Sequence, residues 1–187
     1  MKRFKGFTLV ELLISIALLG VIISITSAVF SVALRSYRLN IQKSFFQKDM
    51  NFALDSIANN AKSASLITAS KNGYASSQNT VILAIPAKDQ SGNFVYTADV
   101  LEYDYYIYYL SNGSLHKKIY GNPNGSLSGQ NNTDTTIMEN VTNFSVTYSP
   151  DMANAQGITV ILGVGRSVGN HDVSLSQQRS VNLRNKQ

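Results

Sequence analysis

The chain reads Lys5-Gly6-Phe7-Thr8-Leu9-Val10-Glu11 and then LLISIALLGVIISITSAVF as far as Phe30. Glu11 is the one charged residue between Phe7 and Phe30; the rest are Leu, Ile, Val, Ala, Phe and a few small polar residues. A carboxylate in hydrocarbon costs several kcal/mol, so a lone acid in such a run points to function if a partner can be named. As a helix the run spans ~36 Å, enough to cross a ~30 Å hydrocarbon core. Lys2, Arg3 and Lys5 precede it and favour keeping that end in the cytoplasm.

Two readings of this segment compete: a membrane anchor and a cleavable signal peptide. Thr26-Ser27-Ala28 offers small residues for a signal peptidase, with cleavage before Val29. That product would be a secreted binding protein. Against it, the apolar run exceeds the usual signal-peptide core and contains Glu11. Composition narrows the field further. The formal charge is +5, but Lys2, Arg3 and Lys5 supply three of those charges, so nucleic-acid binding gains little support. Cysteine is absent, which excludes disulfides and thiolate zinc sites. The body after residue 70 is rich in Asn, Ser, Gly and Tyr, which suits an exported, β-rich surface protein.

Lys5-Gly6-Phe7-Thr8-Leu9-Val10-Glu11-Leu12-Leu13 resembles the prepilin signature of type IV pilins and type II secretion pseudopilins. The resemblance implies cleavage by a prepilin peptidase after Gly6, N-methylation of Phe7, and a filament held by packed N-terminal helices. It also implies a partner for the acid. The Glu11 carboxylate of one subunit would pair with the Phe7 α-ammonium of its neighbour, with the Thr8 hydroxyl nearby. Each charge alone is costly in a dry core, while a pair offsets much of the desolvation and specifies the axial stagger. Before assembly, Glu11 would snorkel to the cytoplasmic interface. Many major pilins carry a proline where this chain has Ala28, and no proline precedes Pro86, which shifts the reading from a major pilin to a minor pilin or pseudopilin.

The fold expected is α+β and pilin-like. A long spine helix, half in the membrane and half outside it, packs on an antiparallel sheet. Residues 1–6 form the leader, 7–30 the membrane or filament-core helix, and 31–187 the head, with 31–66 an amphipathic helix and 80–187 sheet and loops. Phe46, Met50, Ala53, Ile57, Ala61 and Ala64 recur at three- and four-residue steps as one apolar stripe. Beyond Lys71-Asn72-Gly73 the period becomes strand-like. Strands are expected at Val81–Ile85, Leu101–Leu110, Leu115–Tyr120, Val141–Tyr148, Ile158–Val164 and Ser174–Leu183. Asn112-Gly113 marks a hairpin turn, and Gly121–Thr135 reads as a long polar loop. Tyr108-Tyr109-Leu110 to Leu115, Val141 to Tyr148 and Val181 to Asn185 are similar to stretches of W-type minor pilins, J-type pseudopilins and Gram-positive competence counterparts. That similarity implies a place near the filament tip or in the initiating complex.

No catalytic constellation emerges, so the expectation is a structural protein, not an enzyme, with no cofactor and no metal. Gly163-Val164-Gly165 lacks the spacing and following helix of a phosphate loop and reads as a strand end. Asp134, Asp151 and Asp172 read as separate solvated loop residues rather than a calcium site. Tyr103, Tyr105 and Tyr109 should share one strand face, and Tyr106 and Tyr108 the other, one of which packs on the helix. Arg166, Arg179, Arg184 and Lys186 tilt the C-terminal strands basic, which supports DNA capture only weakly. The partners implied by the resemblance are other pilins or pseudopilins, the prepilin peptidase, an inner-membrane assembly platform and, before assembly, lipid. The head would lie outside the cytoplasmic membrane, then on a surface or periplasm-spanning filament.

Overall fold

A computed structural model describes residues 8–130, 132–168 and 171–183. The chain divides into two compact units, Met1–Gln42 and Lys43–Gln187. One helix, α1 (Leu9–Ser63), begins in the first and ends in the second.

In the first unit every large apolar side chain from Leu9 to Leu34 is exposed. The most apolar stretch of α1 has a mean hydropathy of 2.6, so by length and composition this helix can cross a membrane. Four of its hydroxyls bond back to the helix itself. Ser15, Ser24, Thr26 and Ser31 donate to the carbonyls of Glu11, Gly20, Ile22 and Ser27, at 2.8–2.9 Å. A helix in lipid must satisfy its polar groups internally, and these back-bonds do so.

The second unit is built on the other half of α1. Phe46, Met50, Ala53, Ile57 and Ala61 are buried, as the stripe predicts, and Leu54 and Ala58 widen it. The four alanines Ala53, Ala58, Ala61 and Ala64 let the backbone approach closely. After Ser63 the helix stops: Ala64 N–H bonds Ala61 O, and Ser65 N–H bonds Ala84 O in the sheet.

Among the described residues, twelve strands come after the helix. They are β1 (Leu66–Ile67), β2 (Ser70–Lys71), β3 (Tyr74–Ala75), β4 (Thr80–Pro86), β5 (Tyr96–Thr97) and β6 (Val100–Leu101). Then come β7 (Tyr103–Ser111), β8 (Ser114–Tyr120), β9 (Thr133–Met138), β10 (Val141–Ser149), β11 (Gly157–Val168) and β12 (His171–Asn182). The architecture is α+β with antiparallel pairing throughout, as expected. The expected single sheet is replaced by two principal sheets, β1-β4-β7-β8-β9 and β10-β11-β12, and by two ribbons, β2–β3 and β5–β6. The break falls at Glu139–Asn140, where Asn140 takes a positive φ of 57°. Val141 N–H then bonds Gly113 O in the β7–β8 turn instead of pairing with β9.

The Asn112-Gly113 hairpin forms, with positive φ at both residues (49° and 71°), the conformation a two-residue turn between twisted strands requires. Four expectations need correction. The loop 121–135 is shorter than read, because a helical turn (Ser128–Gln130) and β9 arise within it. Asp134 pairs opposite Lys118 in β9, so it is a strand residue. Asp172 also lies in a strand, β12. Gly163 and Gly165 are interior to β11, where they accommodate Asn143 and Thr142 of β10; a Cβ would meet them at 3.1–3.4 Å.

On β7 the tyrosine faces divide as expected. Tyr108 is fully buried and reaches α1: Asn60 Nδ2 donates to its hydroxyl at 2.6 Å, and the hydroxyl lies 3.0 Å from Ser56 Oγ and 3.2 Å from Ser56 O. Burial pushes the Tyr108 phenol up to about 12, so it remains a neutral donor at ordinary pH.

Candidate functional site

The start of α1 is a reciprocal cap. Thr8 precedes the first helical residue and Glu11 lies three residues on. Glu11 N–H donates to Thr8 Oγ at 3.3 Å, and Glu11 Oε2 accepts from Thr8 N–H at 2.9 Å and from the Thr8 hydroxyl at 3.0 Å. The Thr-x-x-Glu spacing is that of a capping box, which satisfies donors the first helical turn leaves open. A carboxylate there also meets the positive end of the helix dipole. Within one chain Glu11 therefore has a structural role that its position in the apolar run did not suggest. Gly6 and Phe7 lie outside the described residues.

Asp134, Asp151 and Asp172 are each held by separate partners. Asp134 accepts from the Tyr109 hydroxyl at 2.6 Å and lies 3.4 Å from His116 Nδ1 and 3.9 Å from Lys118 Nζ. The Tyr109 ring stacks on His116 at 5.1 Å and tilts against Tyr74 at 5.0 Å. Burial first, and then the Asp134 bond, hold the Tyr109 phenol well above its ordinary value. Asp151 accepts from Asn154 N–H, and Asp172 accepts from Ser167. The structure does not bring the three aspartates together, and no group of three metal-ligating residues occurs among the described residues. Arg179 pairs with Asp55 on α1, so one of the four basic residues weighed for DNA is neutralised. Arg184 and Lys186 lie outside the described residues.

Sequence reasoning missed Asp104. It alternates with tyrosines on β7, yet only 4% of it is exposed. Its Oδ1 accepts Asn122 N–H at 2.7 Å, and Asn122 Nδ2 donates to Glu102 at 3.1 Å. An acid in a strand otherwise made of aromatic and apolar residues was the available signal.

A family model described as the prokaryotic N-terminal methylation motif matches residues 1–27. No curated protein and no solved structure matches the chain. The motif, the long apolar helix and the antiparallel sheets beyond it support a type IV pilin-like protein. The motif indicates a structural subunit that is processed by a prepilin peptidase and assembles with other pilins. The helix fits a single-pass anchor with a head outside the membrane.

Proposed function

We propose that this protein is a minor type IV pilin or pseudopilin that joins a filament through its N-terminal helix, near the tip or in the initiating complex. Residues 1–6 act as the leader, 7–30 as the membrane and filament-core helix, and 31–187 as the head. The observation that carries this reading is the lone carboxylate, Glu11, directly behind the cleavage signature and at the head of an apolar helix.

The chemistry rests on that placement. Cleavage after Gly6 creates an α-ammonium on Phe7. In the membrane the Thr8 cap holds Glu11, so the acid costs less before assembly. In a filament the neighbour's ammonium provides a full opposite charge, and the pair sets the register between subunits. Its partners are the major subunit, other minor pilins and the inner-membrane assembly platform. A DNA partner has little support, since Arg179 is already paired.

Intact mass and the N-terminal residue of the protein from its native membrane or filament fraction test the processing. The expected chain starts at N-methylated Phe7. A chain starting at Val29 would have lost Glu11 and would refute the assembly reading. Glu11→Ala is expected to leave processing intact and to lower incorporation into filaments, read by immunoblot of sheared filaments. Undiminished incorporation would remove the charge pair from the mechanism.

A further inference from the structure

In the second unit a half-open cavity of about 300 Å³ lies between the end of α1, β4, β7 and the loop after Tyr120. Its size is at the lower end of small-molecule sites. Asp104, Tyr106, Lys88, Phe94, Ser63 and Ser126 line it.

The loop that forms one wall is fixed in place. Asn122 N–H bonds Asp104, Asn124 N–H bonds the Asn122 side chain at 2.9 Å, and Ser126 N–H bonds Lys88 O at 2.6 Å. Gly121 is pressed against Leu127, leaving no room for a Cβ. Next to Lys88, Asp89 Oδ1 accepts the N–H groups of Ser91 and Asn93, a turn that leads into Phe94.

Asp104 is the polar centre of this cavity. One of its oxygens takes Asn122 N–H; the other has no protein partner among the described residues. That oxygen is not among the sealed, unpartnered atoms, and Asp104 lines the cavity. Asp104 as a residue is only 4% exposed, and an open oxygen on it takes a hydrogen-bond donor from a ligand or from solvent. Lys88 Nζ, which lies 5.3 Å from the centre of the Phe94 ring, supplies a donor at the rim. The serine hydroxyls can do either.

These groups select a ligand class. Lys88 opposes a simple cation, and Asp104 opposes a simple anion. Burial raises the Asp104 carboxyl above its ordinary range, against the pull of Asn122 N–H, which weakens it as a partner for an ammonium. A carboxyl accepts from a hydroxyl whether or not it is ionised. Donors and acceptors set around aromatic walls match a ring with hydroxyl edges and apolar faces. We propose that this cavity binds one pyranose sugar unit, with its hydroxyls on Asp104 and Lys88 and its apolar face against Phe94 or Tyr106.

Saturation-transfer NMR on the full chain in a lipid nanodisc, free of sugar-based detergent, tests this. The probes are the methyl pyranosides of glucose, galactose, mannose and N-acetylglucosamine. At least one should receive saturation, with a dissociation constant in the millimolar range. Asp104→Asn and Phe94→Ala should each weaken it at least tenfold. Phe94 is 47% exposed, so its removal leaves the fold intact and keeps the test valid if the Asp104 variant folds poorly. No saturation of any of these sugars overturns the proposal. So does sugar binding unchanged in the Phe94→Ala variant, or saturation of free lysine or glycine in place of the sugars.

Discussion

Removing one oxygen atom from Tyr108 should loosen the joint between α1 and the sheet. In Tyr108→Phe the ring remains and still fills its fully buried site. What disappears is the hydroxyl that meets Asn60 Nδ2 at 2.6 Å, Ser56 Oγ at 3.0 Å and Ser56 O at 3.2 Å. Losing a buried hydrogen-bond partner costs about 1–3 kcal/mol. Ser56 and Asn60 are only half-buried and recover some solvation, which places the expected loss at about 1–2 kcal/mol. For a unit of this size that corresponds to a fall of roughly 2–8 °C in Tm. The chain has 10 tyrosines and no tryptophan, so near-UV circular dichroism of the full chain reports the transition in urea. A double-mutant cycle with Asn60→Ala isolates the pair, with a coupling of about 0.5–1.5 kcal/mol expected. Stability within about 0.3 kcal/mol of the native chain, or strict additivity in the cycle, would refute the claim that this hydroxyl ties strand to helix.

The loop and the buried acid carry two further expected outcomes. Gly121→Ala would set a Cβ 2.1 Å from Leu127 O, a backbone atom, so it should cost about 1–3 kcal/mol. Gly129→Ala meets nothing within 4 Å and should be tolerated; equal urea midpoints for the two variants would contradict the packing described. The folded chain holds the Asp104 proton more tightly than the unfolded chain, whose ordinary value is 3.8. Its ionisation therefore weakens the fold as pH rises from 3.8 through the raised folded value, and the penalty is complete above that window. Asp104→Asn should gain stability relative to the native chain across that window, measured by urea midpoints over a pH series, and a difference independent of pH would disprove it.

The reach of sequence reasoning differed between the two units. The helix over residues 9–63 was legible because its signal is local: an apolar run, a stripe from Phe46 to Ala64, and no proline before Pro86. The hairpin at Asn112-Gly113 was legible for the same reason, since the turn residues themselves adopt the positive φ. The C-terminal strands were found but drawn too short. Ser167 and Asp172, which lie beyond the expected ends at Val164 and Ser174, form a polar cross-strand pair, and polar pairs carry no apolar alternation. Asp134 was misplaced because its strand, Thr133–Met138, is mostly exposed and reads as a polar loop until β8 supplies its partner.

By itself the sequence determined the N-terminal methylation motif, the long apolar spine helix and the strand-forming character of the chain beyond the helix, because each rests on spacing within a few residues. Only the tertiary structure decided which strands pair, that they split into two sheets at Asn140, and that the loop after Tyr120 folds back to Asp104 and Lys88. Period-two alternation shows which face of a strand is buried, but not which strand lies beside it. The Asp104 cavity joins residues from Ser63 to Leu127 and depends on a backbone donor, Asn122 N–H, which every non-proline residue has.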